Sequence, residues 1–91
     1  MKSDKEIESL LIYCLEGFKD KGGHFLFGLD EIEKHMPELR ELHANNDPHK
    51  SAEIADVYIW AKMLVLANNV GEDIIIKRIA KFREKIRKSR E

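Results

Sequence analysis

Cysteine occurs once in the chain, at Cys14, and proline twice, at Pro37 and Pro48. A single thiol excludes any disulfide within the chain, and its place on an apolar helical face suits a small core residue in a reducing compartment better than a nucleophile. No apolar run reaches the roughly 18 residues needed to span a bilayer. The opening MKSDKEIESLL also lacks the continuous apolar segment of a signal peptide. A cytoplasmic protein is expected. Five glycines are present, but none falls in a G-x-x-x-x-G-K phosphate loop, and KGGHFLFG is no substitute for one, so P-loop chemistry is excluded. His24, His35, His43 and His49 form no short ligand motif, and each reads as a surface or turn histidine. No alternating strand pattern, internal repeat or low-complexity linker occurs.

What remains is a chain of 91 residues with 43% hydrophobic and 36% charged residues, the composition of one ordered domain. A domain this small buries a modest share of its surface, so association is expected. The net charge of −1 hides an asymmetry. Residues 1–56 carry 13 acids against 7 Lys and Arg, whereas residues 77–90 carry eight Lys and Arg against the single acid Glu84, a balance of +7. One end suits cations and the other phosphates.

Helical spacing accounts for the apolar residues. Ser3 and Glu6 have the form of a capping box, and Ile7, Leu10, Leu11, Cys14 and Phe18 follow on one face, which predicts a first helix over about 4–19. Gly22, Gly23 and Gly28 predict a break after it, with Phe25, Leu26 and Phe27 plugging the core. Asp30 and Glu33 signal a second start. The spacing Leu29, Ile32, Met36, Leu39, Leu42 then runs through Pro37, where a break near His35 to Pro37 is expected. ANNDPHKS reads as a loop, and Asp47 with Pro48, or Ser51, can start a third helix over 51–69 that NNVGED ends. A fourth, over about 73–89, carries Ile75, Ile79, Phe82 and Ile86 on one stripe bordered by Arg78, Lys85 and Arg83. The fold class is therefore all-α, a short bundle of about four helices in a single domain over 1–91, completed by pairing with further copies.

The third helix is apolar almost all round and yet opens with Glu53 and Asp56, about 60° apart on one face. Such a helix is normally buried, and buried carboxylates need a cation, a donor or a proton. Upstream, PELREL supplies Glu38 and Glu41 at the same three-residue spacing, which places both acids on one side of a helix. Two antiparallel helices can direct these four carboxylates into one cavity, where they require a cation to remain ionised together. Oxygen ligation of this kind suits Mg²⁺, with Mn²⁺ an alternative.

PELRELHANNDPHKSAEIADVYIWAKMLVLANNVGEDIIIKRIAKFREK resembles the core of the MazG-like, all-α nucleoside triphosphate pyrophosphatases. Their pattern is E-E-x-x-E, a spacer, E-x-x-D opening an apolar helix, then a glycine-containing turn and a basic helix. Glu38, Glu41, Glu53 and Asp56 match it, and GED followed by AKFREKI is similar to its last part. Pro37 stands where the family often has its first glutamate, and the asparagine that often accompanies the basic residues has no counterpart around 79–85. The resemblance implies hydrolysis of a nucleoside or deoxynucleoside triphosphate to the monophosphate and pyrophosphate, in the manner of nucleotide-pool house-cleaning. It implies metal ligation by Glu38, Glu41, Glu53 and Asp56, with Glu41 or Glu53 accepting the proton of the attacking water. Lys81 and Lys85 would bind the outer phosphates. Trp60, one turn beyond Asp56, lies where it could line the base pocket.

A homodimer or homotetramer is expected, since one subunit cannot cover the third helix alone. Two other readings compete. A small interaction module would use the basic last helix to bind nucleic acid or protein, and a non-catalytic relative would bind nucleotides without cleaving them.

Overall fold

The computed structural model describes residues 2–17 and 21–90. Within them the chain forms four helices and no strand: α1 (Lys2–Glu16), α2 (Lys21–Ala44), α3 (Lys50–Ala67) and α4 (Glu72–Arg90). The all-α expectation holds at that level. Helix α1 already includes Ser3, so Ser3 lies inside the first turn instead of capping it. Phe18 and the expected end of that helix near 19 lie outside the described residues.

Helix α2 departs most from expectation. It runs unbroken for 24 residues through Gly22, Gly23, Gly28 and Pro37. None of its glycines takes a positive φ, so each serves here as a small helical residue and not as a turn former. The reason is clearest at Gly28, where a Cβ would stand 3.1 Å from Leu64 Cδ2; the missing side chain lets α2 approach α3 closely. By helical spacing His24, Gly28 and His35 share one stripe. His24 is fully buried and His35 half-buried, which corrects the reading of both as surface or turn histidines. Phe25, Leu26 and Phe27 fall off that stripe and stay substantially exposed, so they do not plug the core. Phe27 instead meets the edge of Trp60, with ring centroids 5.5 Å apart.

The turn from α2 into α3 is fixed by backbone bonds. Asn46 adopts a left-handed φ of 52°, which lets its N–H reach the His43 carbonyl and the Asp47 N–H reach Leu42. The Asp47 carboxylate then accepts from the His49 N–H at 2.9 Å and tightens the turn, but the N-cap of α3 is His49, with no side-chain cap, so neither Asp47 nor Ser51 caps the helix as expected. The same device ends α3, where Asn69 has φ 52° and Val70 donates to the Val65 carbonyl. Gly28 against Leu64 at one end and His35 against Glu53 toward the other make α2 and α3 antiparallel.

The core sits between α1 and α3. Ile7, Leu11, Met63 and Ala67 are buried together, with Cys14, Leu15, Ile59, Trp60 and Leu66 packed around them. The rest of α3 is less covered than its composition suggests, and Ile54 and Tyr58 remain exposed. Helix α4 explains the shortfall. Among the described residues it packs against none of the other three helices, and all its side chains are exposed. No described helix is long and apolar enough to cross a membrane.

Candidate metal centre

Three of the four carboxylates singled out in the sequence reach a common space. Glu38 and Glu41 from α2, and Glu53 from the first turn of α3, line a cavity of about 380 Å³ together with Asp47 and His49. Asp56 does not join them there. It lines a neighbouring hollow with Leu10, Cys14, Ile59, Trp60 and Met63, on the α1 side of α3. Trp60 is thus beside Asp56 as its spacing requires, half-buried against Phe27. Lys81 and Lys85 lie on α4, which the structure keeps clear of the other helices of its own subunit.

Glu53 is the buried member, 8% exposed. One of its oxygens is bonded to His35 Nδ1, and the other faces His49 Nε2 at 3.6 Å. His35 was not among the candidates read from sequence, yet the signal was available. H-x-x-E over His35 to Glu38 puts both on one side of α2, the spacing already noted for Glu38 and Glu41. His35, Glu38 and Glu53 each offer one ligand atom, all within 4.8 Å of one another. Ligands of a first-row divalent ion stand about 2.0–2.2 Å from it, so opposed ligands lie about 4.4 Å apart or less. The three groups are therefore close enough together to be candidates for sharing one ion.

The electrostatics follow from the His35–Glu53 bond. It holds the His35 imidazole above its ordinary value of 6.5, with the charges of Glu53, Asp56 and Glu38 adding to the effect and burial opposing it. The same bond holds the Glu53 carboxyl below its ordinary 4.5, against the opposing pull of burial. A raised imidazole stabilises the fold fully below 6.5 and loses that contribution as pH rises through its higher folded value. A depressed carboxyl stabilises fully above 4.5 and loses its contribution as pH falls through its lower folded value. Both contributions are complete only between the two ordinary values. Thermal melts from pH 3 to 9 should accordingly show wild type exceeding His35→Gln by most at about pH 5–6, narrowing on either side. A constant difference across the range would mean that the pair is not ionic.

Helix geometry thus assembles an acid-lined cavity with His49 on its wall and His35 bonded to its Glu53. Comparison with other proteins neither adds to nor redirects this picture: no family model, curated protein or solved structure matches the chain.

Proposed function

We propose that this chain is a MazG-like, divalent-metal-dependent nucleoside triphosphate pyrophosphohydrolase, acting in the cytoplasm as a homodimer or homotetramer. One observation carries the reading: Glu38, Glu41 and Glu53 line a single cavity between two antiparallel helices, with Asp56 one turn further along α3. Glu38, Glu41 and Glu53 would hold a divalent cation there, which would supply charge neutralisation for the triphosphate and a lower pKa for a water. Mg²⁺ or Mn²⁺ would fit the carboxylates of Glu38 and Glu53.

The chain's own groups account for the remaining steps. Glu41, exposed at the cavity wall, or Glu53 accepts the proton of the attacking water. A bond forms from that water's oxygen to the α-phosphorus. The bond from the α-phosphorus to the bridging oxygen breaks, and pyrophosphate leaves with the electron pair. Trp60 lines the adjoining hollow, where a base can lie against its ring. Lys81 and Lys85 lie clear of this cavity in their own subunit, so they would have to bring the positive charge that the departing pyrophosphate requires to the site of a second copy.

The test is pyrophosphate release from canonical and modified nucleoside triphosphates with Mg²⁺ or Mn²⁺, with Asp56→Asn beside wild type. Metal-dependent release that the variant lacks is expected. Metal-dependent nucleotide binding without release would instead identify a non-cleaving relative, in keeping with Pro37 and the absent asparagine. A specific observation also favours the interaction-module reading, since every residue of the basic helix α4 is exposed. That reading requires nucleic-acid binding that falls steeply with salt and no turnover.

A further inference from the structure

We propose that His35, Glu38, Glu53 and His49 form a closed four-ligand site for Zn²⁺, which differs in donors and in ion from the carboxylate set that would hold Mg²⁺. The one buried carboxylate of the cavity has an imidazole at each of its oxygens. Glu53 Oε2 is bonded to His35 Nδ1, and Glu53 Oε1 faces His49 Nε2 at 3.6 Å. The two rings come from different helices. On α2, His35 and Glu38 are three positions apart and share a side. On α3, the N-cap His49 stands four positions before Glu53, one turn away on the same face. Each helix therefore supplies one imidazole and one carboxylate, and the antiparallel pairing of α2 and α3 brings the two pairs together.

This donor set does not suit Mg²⁺, which demands oxygen ligands in a near-octahedral array. Imidazole beside carboxylate suits Zn²⁺, which binds His nitrogen and Asp or Glu oxygen at about 2.0–2.2 Å in a tetrahedron. Neighbouring ligands on such an ion stand about 3.4 Å apart. His49 Nε2 is already 3.6 Å from Glu53, and His35, Glu38 and Glu53 offer atoms within 4.8 Å of one another. The His49 side chain is 64% exposed, so its ring can turn toward the ion without unpacking the interior. Ni²⁺ and Cu²⁺ also accept imidazole but favour square-planar or tetragonal arrangements. Zn²⁺ has no such preference from its d electrons, which fits ligands drawn from two helices. On binding, Zn²⁺ takes the place of the proton between His35 and Glu53, and that proton passes to solvent.

A catalytic zinc ion keeps one position open for water, whereas four protein ligands fill the tetrahedron. The Zn²⁺ form would therefore hold no attacking water, and it would withhold Glu38 and Glu53 from Mg²⁺. Zn²⁺ would then inhibit the proposed hydrolase. That consequence rests on the hydrolase reading, but the binding itself does not.

The test titrates the full chain with Zn²⁺ against a chromogenic chelator, and with Co²⁺ as a visible stand-in that absorbs strongly only when four-coordinate. One ion per chain and a strong Co²⁺ spectrum are expected. His35→Gln and His49→Gln should each weaken Zn²⁺ binding by about 10–100-fold or more, since even the outer partners of a metal site carry that much. Each should also bleach the Co²⁺ spectrum, while calorimetry finds Mg²⁺ bound no more weakly than by wild type. His49→Gln changes an exposed side chain, so it probes the site without loosening the contact between α2 and α3. Absence of Zn²⁺ binding in wild type, or full binding in either variant, would overturn the proposal. Equal losses of Zn²⁺ and Mg²⁺ would overturn it too, by reducing the imidazoles to supports for the carboxylates. Pyrophosphate release without Zn²⁺ binding would sink this site and leave the hydrolase standing, and Zn²⁺ binding without turnover would do the reverse.

Discussion

Glu53→Gln should lower metal-dependent pyrophosphate release by about 10³-fold or more while leaving the helices in place. The substitution keeps the side chain's shape and exchanges one oxygen for an amide nitrogen. That amide can still donate to a neutral His35, so the contact between α2 and α3 persists. What disappears is a buried negative charge that the proposed site uses twice, to hold the cation and to stand beside the attacking water. Loss of a general base alone typically costs 10²–10⁴-fold, and a weakened metal site adds to that. Two readouts separate the causes. Calorimetry with Mn²⁺ should show weaker binding in the variant, and pyrophosphate release should stay low even when excess metal restores occupancy. Turnover retained at saturating metal would remove Glu53 from the chemistry and with it the present reading. The variant also frees His35 from the carboxylate that raises its pKa, so its stability should lose the mildly acidic maximum expected of wild type.

Met63→Ala should cost about 2–5 kcal/mol, the range for emptying a buried methionine site. Met63 is 1% exposed and is the point where α3 meets Ile7 and Leu11 of α1. Only four apolar residues are buried among the described residues, so little else can take up the loss. A chain of 91 residues has a total stability of about 5–14 kcal/mol, which makes this one truncation a large share of it. Urea unfolding followed by circular dichroism at fixed protein concentration should show the midpoint fall by about 1–3 M, with the slope little changed. An unchanged midpoint would mean that α1 does not dock on α3 through this cluster. Cys14, at the edge of the same cluster, should then react with thiol reagents no faster in the variant than in wild type.

The helices were legible in the sequence wherever an element ended on local chemistry. The turn at Asn45 to Pro48 and the one after Asn68 could be read because asparagine tolerates the left-handed backbone that closes a helix. The start of α2 could not. Two adjacent glycines lower helix propensity by about 1 kcal/mol each, so local pattern signals a break where the helix in fact begins, and the close approach to α3 that Gly28 allows is equally invisible to it. His35 was passed over for a related reason. A histidine with no partner nearby in sequence looks like surface, whereas its partner here is Glu53, on the far side of a turn. The carboxylates Glu38, Glu41 and Glu53 were legible because their spacing fixes helix faces and a short connection fixes the antiparallel pairing. Asp56 lines the hollow on the α1 side because adjacent turns of α3 look toward different neighbours, α2 for Glu53 and α1 for that hollow, while its charge still acts on His35.

Pro37 gives α2 a seam at a telling place. Proline has no N–H, so the carbonyl of Glu33 receives no bond from the residue four positions on, and the helix ladder misses one rung there. The seam falls between His35 on one side and Glu38 and Glu41 on the other. A bend of a few degrees at that rung changes the span between imidazole and carboxylates without disturbing the cluster around Met63. In the proposed metal site the size of ion accommodated would then depend on this proline-interrupted turn, and replacing Pro37 is the way to test that.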